Sequence, residues 1–255
     1  MAEVLVIGGT GTLGRLVVDE LRGRRHGVGV LSRSASPPVP AGVTAWQGDV
    51  RTGHGLARAL EGTDTVVQSV AGRLRLRATE VAGMANLLAA AGHRHLVYVS
   101  IVGVDRHRFP YYRAKWQVEQ MLEGSQARWT IQRATQFHQL LDAALGTGWF
   151  VRTPHLHFQP VDPAELALRL ADLVEAGPSG RAPDVGGPDV LSVEELAEAR
   201  RKATGQRTRL LRVPAVGFLG DFDRGVHLCP DHRVGRVTWA AWLGSQVRPG
   251  VARQD

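Results

Sequence analysis

The sequence predicts an α/β fold, a doubly wound parallel sheet followed by a smaller C-terminal α/β lobe. Three observations predict it. Short apolar runs alternate with segments of helical periodicity as far as Ala134. A glycine-rich turn, Gly8-Gly9-Thr10-Gly11-Thr12-Leu13-Gly14, joins the first apolar run to the first helical one. Beyond Phe150 the rhythm loosens into short strands between longer helical segments.

The elements follow in order. EVLVI, from Glu3 to Ile7, reads as a buried strand and LGRLVVDELR as the helix after it. GVGVLS (Gly27 to Ser32) is a second strand and VTAWQGD (Val43 to Asp49) a third, separated by a proline-rich loop at Ser36 to Pro40. HGLARAL is a short helix, DTVVQSV (Asp64 to Val70) a fourth strand, and TEVAGMANLLAAAG a helix from Thr79 to a glycine cap at Gly92. HLVYVS (His95 to Ser100), helical YYRAKWQVEQMLEG and RWTIQRA complete six strands. Strands separated by helices imply βαβ units, and right-handed crossovers wind them into a Rossmann-type sheet.

In the second part, LHFQPVD and RLLRVP read as strands, and RAPDVGGP as a short strand and turn. PAELALRLADLVEAG is a helix opened by Pro163, and LSVEELAEARRKATG a helix capped by Ser192 with Glu195 three residues on. Trp239 and Trp242 are expected to pack, and the tail from Arg248 to fray. The expected division is a nucleotide-binding domain over 1–150 and a small substrate lobe over 151–255, packed as one unit.

Composition narrows the classes. Hydrophobic residues make up 44% and charged residues 22%, as in soluble globular proteins. No apolar stretch approaches the ~20 residues that span a bilayer, so no membrane is expected. The first strand begins at once, without a basic n-region, so no signal peptide is expected. Cys229 is the single cysteine, which fits a reducing cytoplasm. The net charge is +7, but the basic residues are scattered. Even the densest group, Arg73, Arg75 and Arg77, lacks aromatic interleaving. No nucleic-acid partner is therefore expected. The basic residues are almost all arginine, a bias that a GC-rich genome accounts for. No metal site is expected: His155 and His157 share a face but have no third ligand at a recognisable spacing.

The opening turn carries the first chemistry. Gly8 permits a tight turn, Gly11 a close backbone approach, and Gly14 close packing of the helix on the strand. Free amides from Thr10 through Thr12, Leu13 and Gly14 then face a pyrophosphate. At the end of the second strand stand Ser32 and Arg33, where an acidic residue would bind a ribose 2′-hydroxyl. They suit a 2′-phosphate, so NADP(H) is expected over NAD(H); a solvent-facing arginine is the alternative. Asp49 and Val50 fit the adenine pocket, and Ser69, Val70 and Ala71 the middle of the cofactor.

The second chemistry is a Ser-Tyr-Lys set. Tyr111 and Lys115 are spaced i, i+4 on one helical face. The Lys115 ammonium is expected to hold the cofactor ribose, and also to lower the tyrosine pKa and make it an acid or base near neutrality. Ser100 ends the fifth strand, at the carboxyl edge where ligands bind, and would orient a carbonyl. Tyr112 competes with Tyr111 for that helical face.

Together GGTGTLG, LSRS, GDV, VYVSIVGVD, YYRAKWQVEQ, WTIQRATQF and FQPVDPAELA resemble the atypical short-chain dehydrogenase/reductase superfamily, in its NmrA-like NAD(P)-binding branch of actinomycete type. The resemblance reaches to about Gly205. It implies a Rossmann domain with a small substrate lobe. It implies an NADPH-dependent oxidoreductase of a carbonyl or quinone-like small molecule, with an aromatic substrate among the options. The same branch includes non-catalytic redox sensors and tailoring or coupling proteins of aromatic polyketide pathways. Relatives line the nicotinamide and substrate pocket where Gln136, Phe137 and His138 stand here, with His138 either a proton relay or a packed helix residue. Relatives often carry RPT after the sixth strand; this chain has Arg133-Ala134-Thr135.

Overall fold

The structure, a computed structural model, describes residues 1–70 and 78–246. Ala71, the Arg73, Arg75 and Arg77 group and the tail from Arg248 lie outside the described residues.

The chain divides into two compact units. The first comprises Met1–Asp105, Phe109–Ala134 and Pro163–Asp184. Its strands are β1 (Glu3–Ile7), β2 (Gly27–Ser32), β3 (Thr44–Gln47), β4 (Thr65–Gln68), β5 (His95–Ile101), β6 (Arg128–Ala134) and β9 (Gly180–Arg181). They form a seven-stranded sheet in the order β3-β2-β1-β4-β5-β6-β9. Every pairing in it is parallel. Runs such as Val4-Leu5-Val6-Ile7 are apolar at consecutive positions because both faces of a parallel sheet are covered.

One face carries Leu5, Ile7, Val66, Leu96, Tyr98 and Ile131. Against it pack α2 (Leu56–Leu60), α3 (Gly83–Ala91) and α4 (Pro110–Glu123). Elsewhere α1 (Thr12–Gly23) packs on α6 (Pro163–Ala176), where Arg24 pairs with Asp172 at 2.7 Å and Glu175 at 3.0 Å. Strand order reverses beside β1, whose neighbours are β2 and β4. That reversal opens a crevice at the carboxyl ends of β1 and β4.

The helix expected from Thr79 to Gly92 begins instead as a π-helical segment, Ala78–Ala82, and turns α-helical at Gly83. Gly92 ends it with a positive φ of 59°.

The second unit comprises Arg106–Arg108, Thr135–Asp162 and Val185–Asp255. The division is interleaved: α6 and β9 return to the first unit, so a single boundary at 150 does not describe it. The second unit contains α5 (His138–Leu145), β7 (Trp149–Arg152), β8 (His157–Phe158), β10 (Leu191–Ser192), α7 (Val193–Thr204), β11 (Arg209–Arg212), α8 (Gly217–Asp223) and α9 (Trp239–Gln246). β8 pairs antiparallel with β10, and β7 parallel with β11.

The strand expected over LHFQPVD shrinks to His157–Phe158. Beyond it Pro160 offers no amide, and the Gln159 side chain donates to Gly187 O and accepts from Cys229 N. Ser192 caps α7 as expected: Ser192 Oγ accepts from Glu195 N, and the Glu195 carboxylate accepts from Ser192 N. Trp239 and Trp242 are both buried and stacked, 5.5 Å between centroids. Buried Asp221 anchors α8, its carboxylate accepting from Arg108 N at 2.8 Å and from the Arg108 and Arg224 side chains.

Candidate cofactor and active site

The glycine turn has the close contacts its pattern requires. Gly8 sits at φ +90°. A Cβ on Gly14 would lie 2.1 Å from Gly8 O, and one on Gly9 would lie 2.7 Å from Val30 Cγ2. The pattern pointed to Gly14; Gly9, also closely packed though less tightly and against a side chain, was missed. Gly11 N donates to Gly8 O at 2.9 Å, closing the turn. Helix α1 then starts at Thr12 with Gly11 as N-cap, no side-chain cap bond, and no acidic residue in its first turn. Its leading amides and partial positive charge are thus left for an anion. Thr10, Gly11 and Thr12 are exposed; Leu13 is buried, so its side chain serves the core and only its amide belongs to the cradle.

Around the crevice, the Ser69 amide and hydroxyl both donate to Ile7 O, at 3.0 and 3.2 Å, and Val70 is half-buried above Gly8. Arg33 is exposed and makes no hydrogen bond or ion pair among the described residues, whereas Ser32 Oγ accepts from Ser34 N. Asp49 holds the next turn, its carboxylate accepting from Arg51 N at 2.9 Å. Val50 turns its side chain into the core, and its carbonyl accepts from Asn86 Nδ2 at 3.0 Å.

The YxxxK pair occupies the first turns of α4. Tyr111 is half-buried and Lys115 buried. The Lys115 Nζ stands 5.9 Å from the Tyr111 ring centroid and 4.6 Å from that of Tyr98. Tyr112 is buried and packs beside Phe109, which leaves Tyr111 as the α4 tyrosine beside Lys115. Lys115 Nζ donates to Val99 O at 2.9 Å and lies 3.1 Å from Glu80 Oε2. The Tyr98 hydroxyl donates to the same carboxylate oxygen at 3.0 Å. Glu80, from the π-helical segment, is fully buried, and its Oε1 has no partner among the described residues.

These contacts correct one expectation. Lys115 alone would pull the Tyr111 pKa down. Burial raises it, the Lys115 ammonium works against that, and the Glu80 carboxylate adds to the rise, so the net direction is up. Tyr111 is therefore a phenol at neutral pH. Burial disfavours the Lys115 charge, but Glu80, Tyr111 and Glu119 together outweigh it, and Lys115 stays an ammonium. Tyr98 is pushed well above the ordinary phenol range, first by burial and then by Glu80.

Ser100 lies at the carboxyl end of β5, buried, its Oγ without a partner among the described residues. Gln68, which ends β4 opposite Tyr98, is also buried, with both amide atoms unpartnered among the described residues. Period-two alternation puts Gln68, Tyr98 and Ser100 on one face of the sheet. Buried polar atoms without partners are costly and rare, so their concentration at this edge marks it as a place for a polar ligand.

In the second unit, Gln136 O accepts from Val161 N at 2.9 Å, and Phe137 is the half-buried N-cap of α5. Of its two expected roles, His138 takes that of a packed helix residue rather than a proton relay. It is fully buried, stacked 5.7 Å from Trp239 and 5.4 Å from Trp242, with Nε2 3.1 Å from Val237 O. Burial lowers its pKa, so it packs as a neutral ring.

A parallel sheet whose order reverses beside β1, with a glycine turn and an uncapped helix N-terminus at that point, defines a dinucleotide-binding α/β protein. A family described as NAD(P)H-binding matches residues 8–168, more than half of the chain. The chain belongs to this NAD(P)H-binding family of atypical short-chain dehydrogenase/reductase type. It is similar to the photosystem II assembly factor Ycf39 of Synechocystis, 27% identical across 87% of this chain and 74% of that protein. It is similar also to a Streptomyces griseus (4-alkanoyl-5-oxo-2,5-dihydrofuran-3-yl)methyl phosphate reductase, 29% identical across 81% of this chain and 75% of the relative. Its fold matches the NADPH complex of an Escherichia coli NADPH-dependent quinone oxidoreductase with a TM-score of 0.76, at 18% identity, over 96% of this chain and 100% of the other. No helix among the described residues is long and apolar enough to cross a membrane.

Proposed function

We propose that the protein is an NADPH-dependent oxidoreductase acting in the cytoplasm on a carbonyl or quinone-like small molecule. The observation that carries this reading is the protonated Tyr111 beside the Lys115 ammonium on α4, which supplies a proton donor for reduction. The (dihydrofuran-3-yl)methyl phosphate reductase and the quinone oxidoreductase among the similar proteins support the same class.

The cradle suits a dinucleotide. A Cβ at Gly14 would collide with Gly8 O, so only a bare backbone brings the α1 amides to the turn. Those amides, of Thr12, Leu13 and Gly14, hold the pyrophosphate. Arg33, free of ion pairs among the described residues, and Ser32 favour a 2′-phosphate, hence NADPH over NADH. Asp49 and Val50 flank the adenine, and Ser69 and Val70 the middle of the cofactor.

When bound, the reduced nicotinamide supplies a hydride to the carbonyl carbon. Ser100 Oγ donates to the carbonyl oxygen and orients it. Tyr111 gives its proton to that oxygen as negative charge develops there, and water returns a proton to the phenolate. One hydride and one proton convert the carbonyl to an alcohol. Lys115 orients Tyr111 and steadies the transient phenolate.

A second reading, a cofactor-binding protein that acts through a partner, is favoured by the likeness to an assembly factor. Titration with NADPH and NADH, followed by NADPH oxidation against a panel of quinones and carbonyls, separates the two. Turnover lost in Tyr111→Phe with NADPH binding intact supports the oxidoreductase. Tight binding without turnover on any compound supports the second reading.

A further inference from the structure

We propose that Glu80 is a positioning residue for the pair on α4: it fixes the Lys115 ammonium beside Tyr111 and offsets part of its pull on the phenol, which serves as a proton donor. This rests on the oxidoreductase reading for its catalytic meaning, but the electrostatic relation is testable without turnover.

The geometry is specific. Glu80 and Lys115 are nearly removed from water, at 0% and 3% exposure. Their charged atoms stand 3.1 Å apart, and Lys115 Nζ also donates to Val99 O at 2.9 Å. The Tyr98 hydroxyl, at 3.0 Å, fixes the same Glu80 oxygen. A buried ammonium with one carboxylate and one carbonyl cannot swing freely, so its distance from the Tyr111 ring is set by Glu80. The π-helical segment delivers this carboxylate, and widened turns of this kind recur at functional sites.

The charges facing Tyr111 come from three elements. Lys115 lies on its own helix and favours the phenolate. Glu80 from the π-helical segment favours the phenol. Tyr98 on β5 is a neutral phenol whose pKa is itself raised by burial and Glu80. Glu119, further along α4, acts on Lys115 and Tyr98 but is bonded to Arg133. A lysine held near a tyrosine promotes its ionisation; burial of Tyr111 is the first force against that, and the Glu80 carboxylate adds to it.

The test is a titration of 13C-labelled tyrosine by NMR in the full chain. The sequence has only Tyr98, Tyr111 and Tyr112, so Tyr111→Phe assigns the Tyr111 signal. In Glu80→Gln the Tyr111 signal is expected to titrate about 1 pH unit lower than in the native protein, the size a nearby unpaired charge produces. In Glu80→Asp it is expected to move by less. Should Glu80→Gln fail to fold, with Lys115 left buried and unpaired, the Glu80→Asp displacement decides. An unmoved Tyr111 signal in every folded variant overturns the proposal.

Activity gives a second readout. The alkaline limb of kcat for NADPH-dependent reduction is expected to move down in step with the NMR titration, while the KM for NADPH changes less. A native protein without turnover would remove the oxidoreductase reading yet leave the NMR result standing. A shifted Tyr111 titration with an unmoved kcat limb would retain the electrostatic relation and remove Tyr111 as the donor.

Discussion

A Cβ added to Gly14 would lie 2.1 Å from the carbonyl oxygen of Gly8. Both residues belong to the glycine turn between β1 and α1, and neither atom can yield, since one is backbone and the other sits in a buried helix start. Gly14→Ala must push α1 away from β1. The expected result is a loss of about 1–3 kcal/mol in denaturant unfolding, the range for overpacking a tight contact. NADPH affinity should fall with it, because the displaced amides no longer converge. Isothermal titration and urea unfolding on one preparation check both.

Arg33 is exposed and makes no ion pair among the described residues, so removing it should leave stability unchanged. A lost hydrogen-bonded contact to a charged group costs about 1.5–3 kcal/mol. Arg33→Ala is therefore expected to weaken NADPH binding about 10-fold to 100-fold and to leave NADH binding unaltered. Equal weakening of both cofactors would count against a 2′-phosphate contact.

Ser100 gives the opposite separation. Its buried Oγ has no hydrogen-bond partner among the described residues, so Ser100→Ala should not destabilise the fold. Loss of a donor to a developing oxyanion typically lowers kcat about 100-fold or more. Thermal unfolding and steady-state kinetics distinguish this from a structural role, in which both would fall.

Acid should weaken the protein in two windows. Burial lowers His95, His107 and His227 to about 4, below the ordinary histidine value. The unfolded chain takes up these protons first, so stability is lost as pH falls from about 6.5 through about 4. The Arg108 side chain holds Asp221 at about 2. Its contribution is complete above the unfolded carboxylate value of about 3.9 and is lost as pH falls through about 2. Asp221→Asn should flatten the lower window alone in pH-dependent urea unfolding.

Much of the sheet unit was legible because its signals are local. Apolar runs gave β1, β2, β5 and β6 nearly to the residue, and the glycine spacing gave the cradle. Ser192 and Glu195 announced the α7 cap. What escaped depended on distant partners. β7 and β11 join residues far apart in sequence, Arg152 beside Arg212, and no local pattern encodes that pairing. β9 was displaced into the main sheet by long-range pairing with β6. Glu80 was missed although a signal existed: with Met84 and Leu87 it falls at i, i+4, i+7 on the buried face of its helical stretch, where a lone carboxylate requires a partner. The direction of the Tyr111 pKa was missed because the i, i+4 spacing exposed Lys115 but neither the burial of the phenol, which is the first cause of the rise, nor the Glu80 carboxylate that adds to it.

The central claim is that the cradle presents NADPH to a site where Tyr111 supplies the proton for reduction. Stopped-flow NADPH oxidation, with quinones and carbonyls as acceptors, tests it most directly when native protein and Tyr111→Phe are compared at equal cofactor saturation. Acceptor-dependent oxidation is expected in the native protein, reduced about 100-fold or more in the variant. Equal rates in the two proteins, or saturating NADPH with no oxidation by any acceptor, would contradict it.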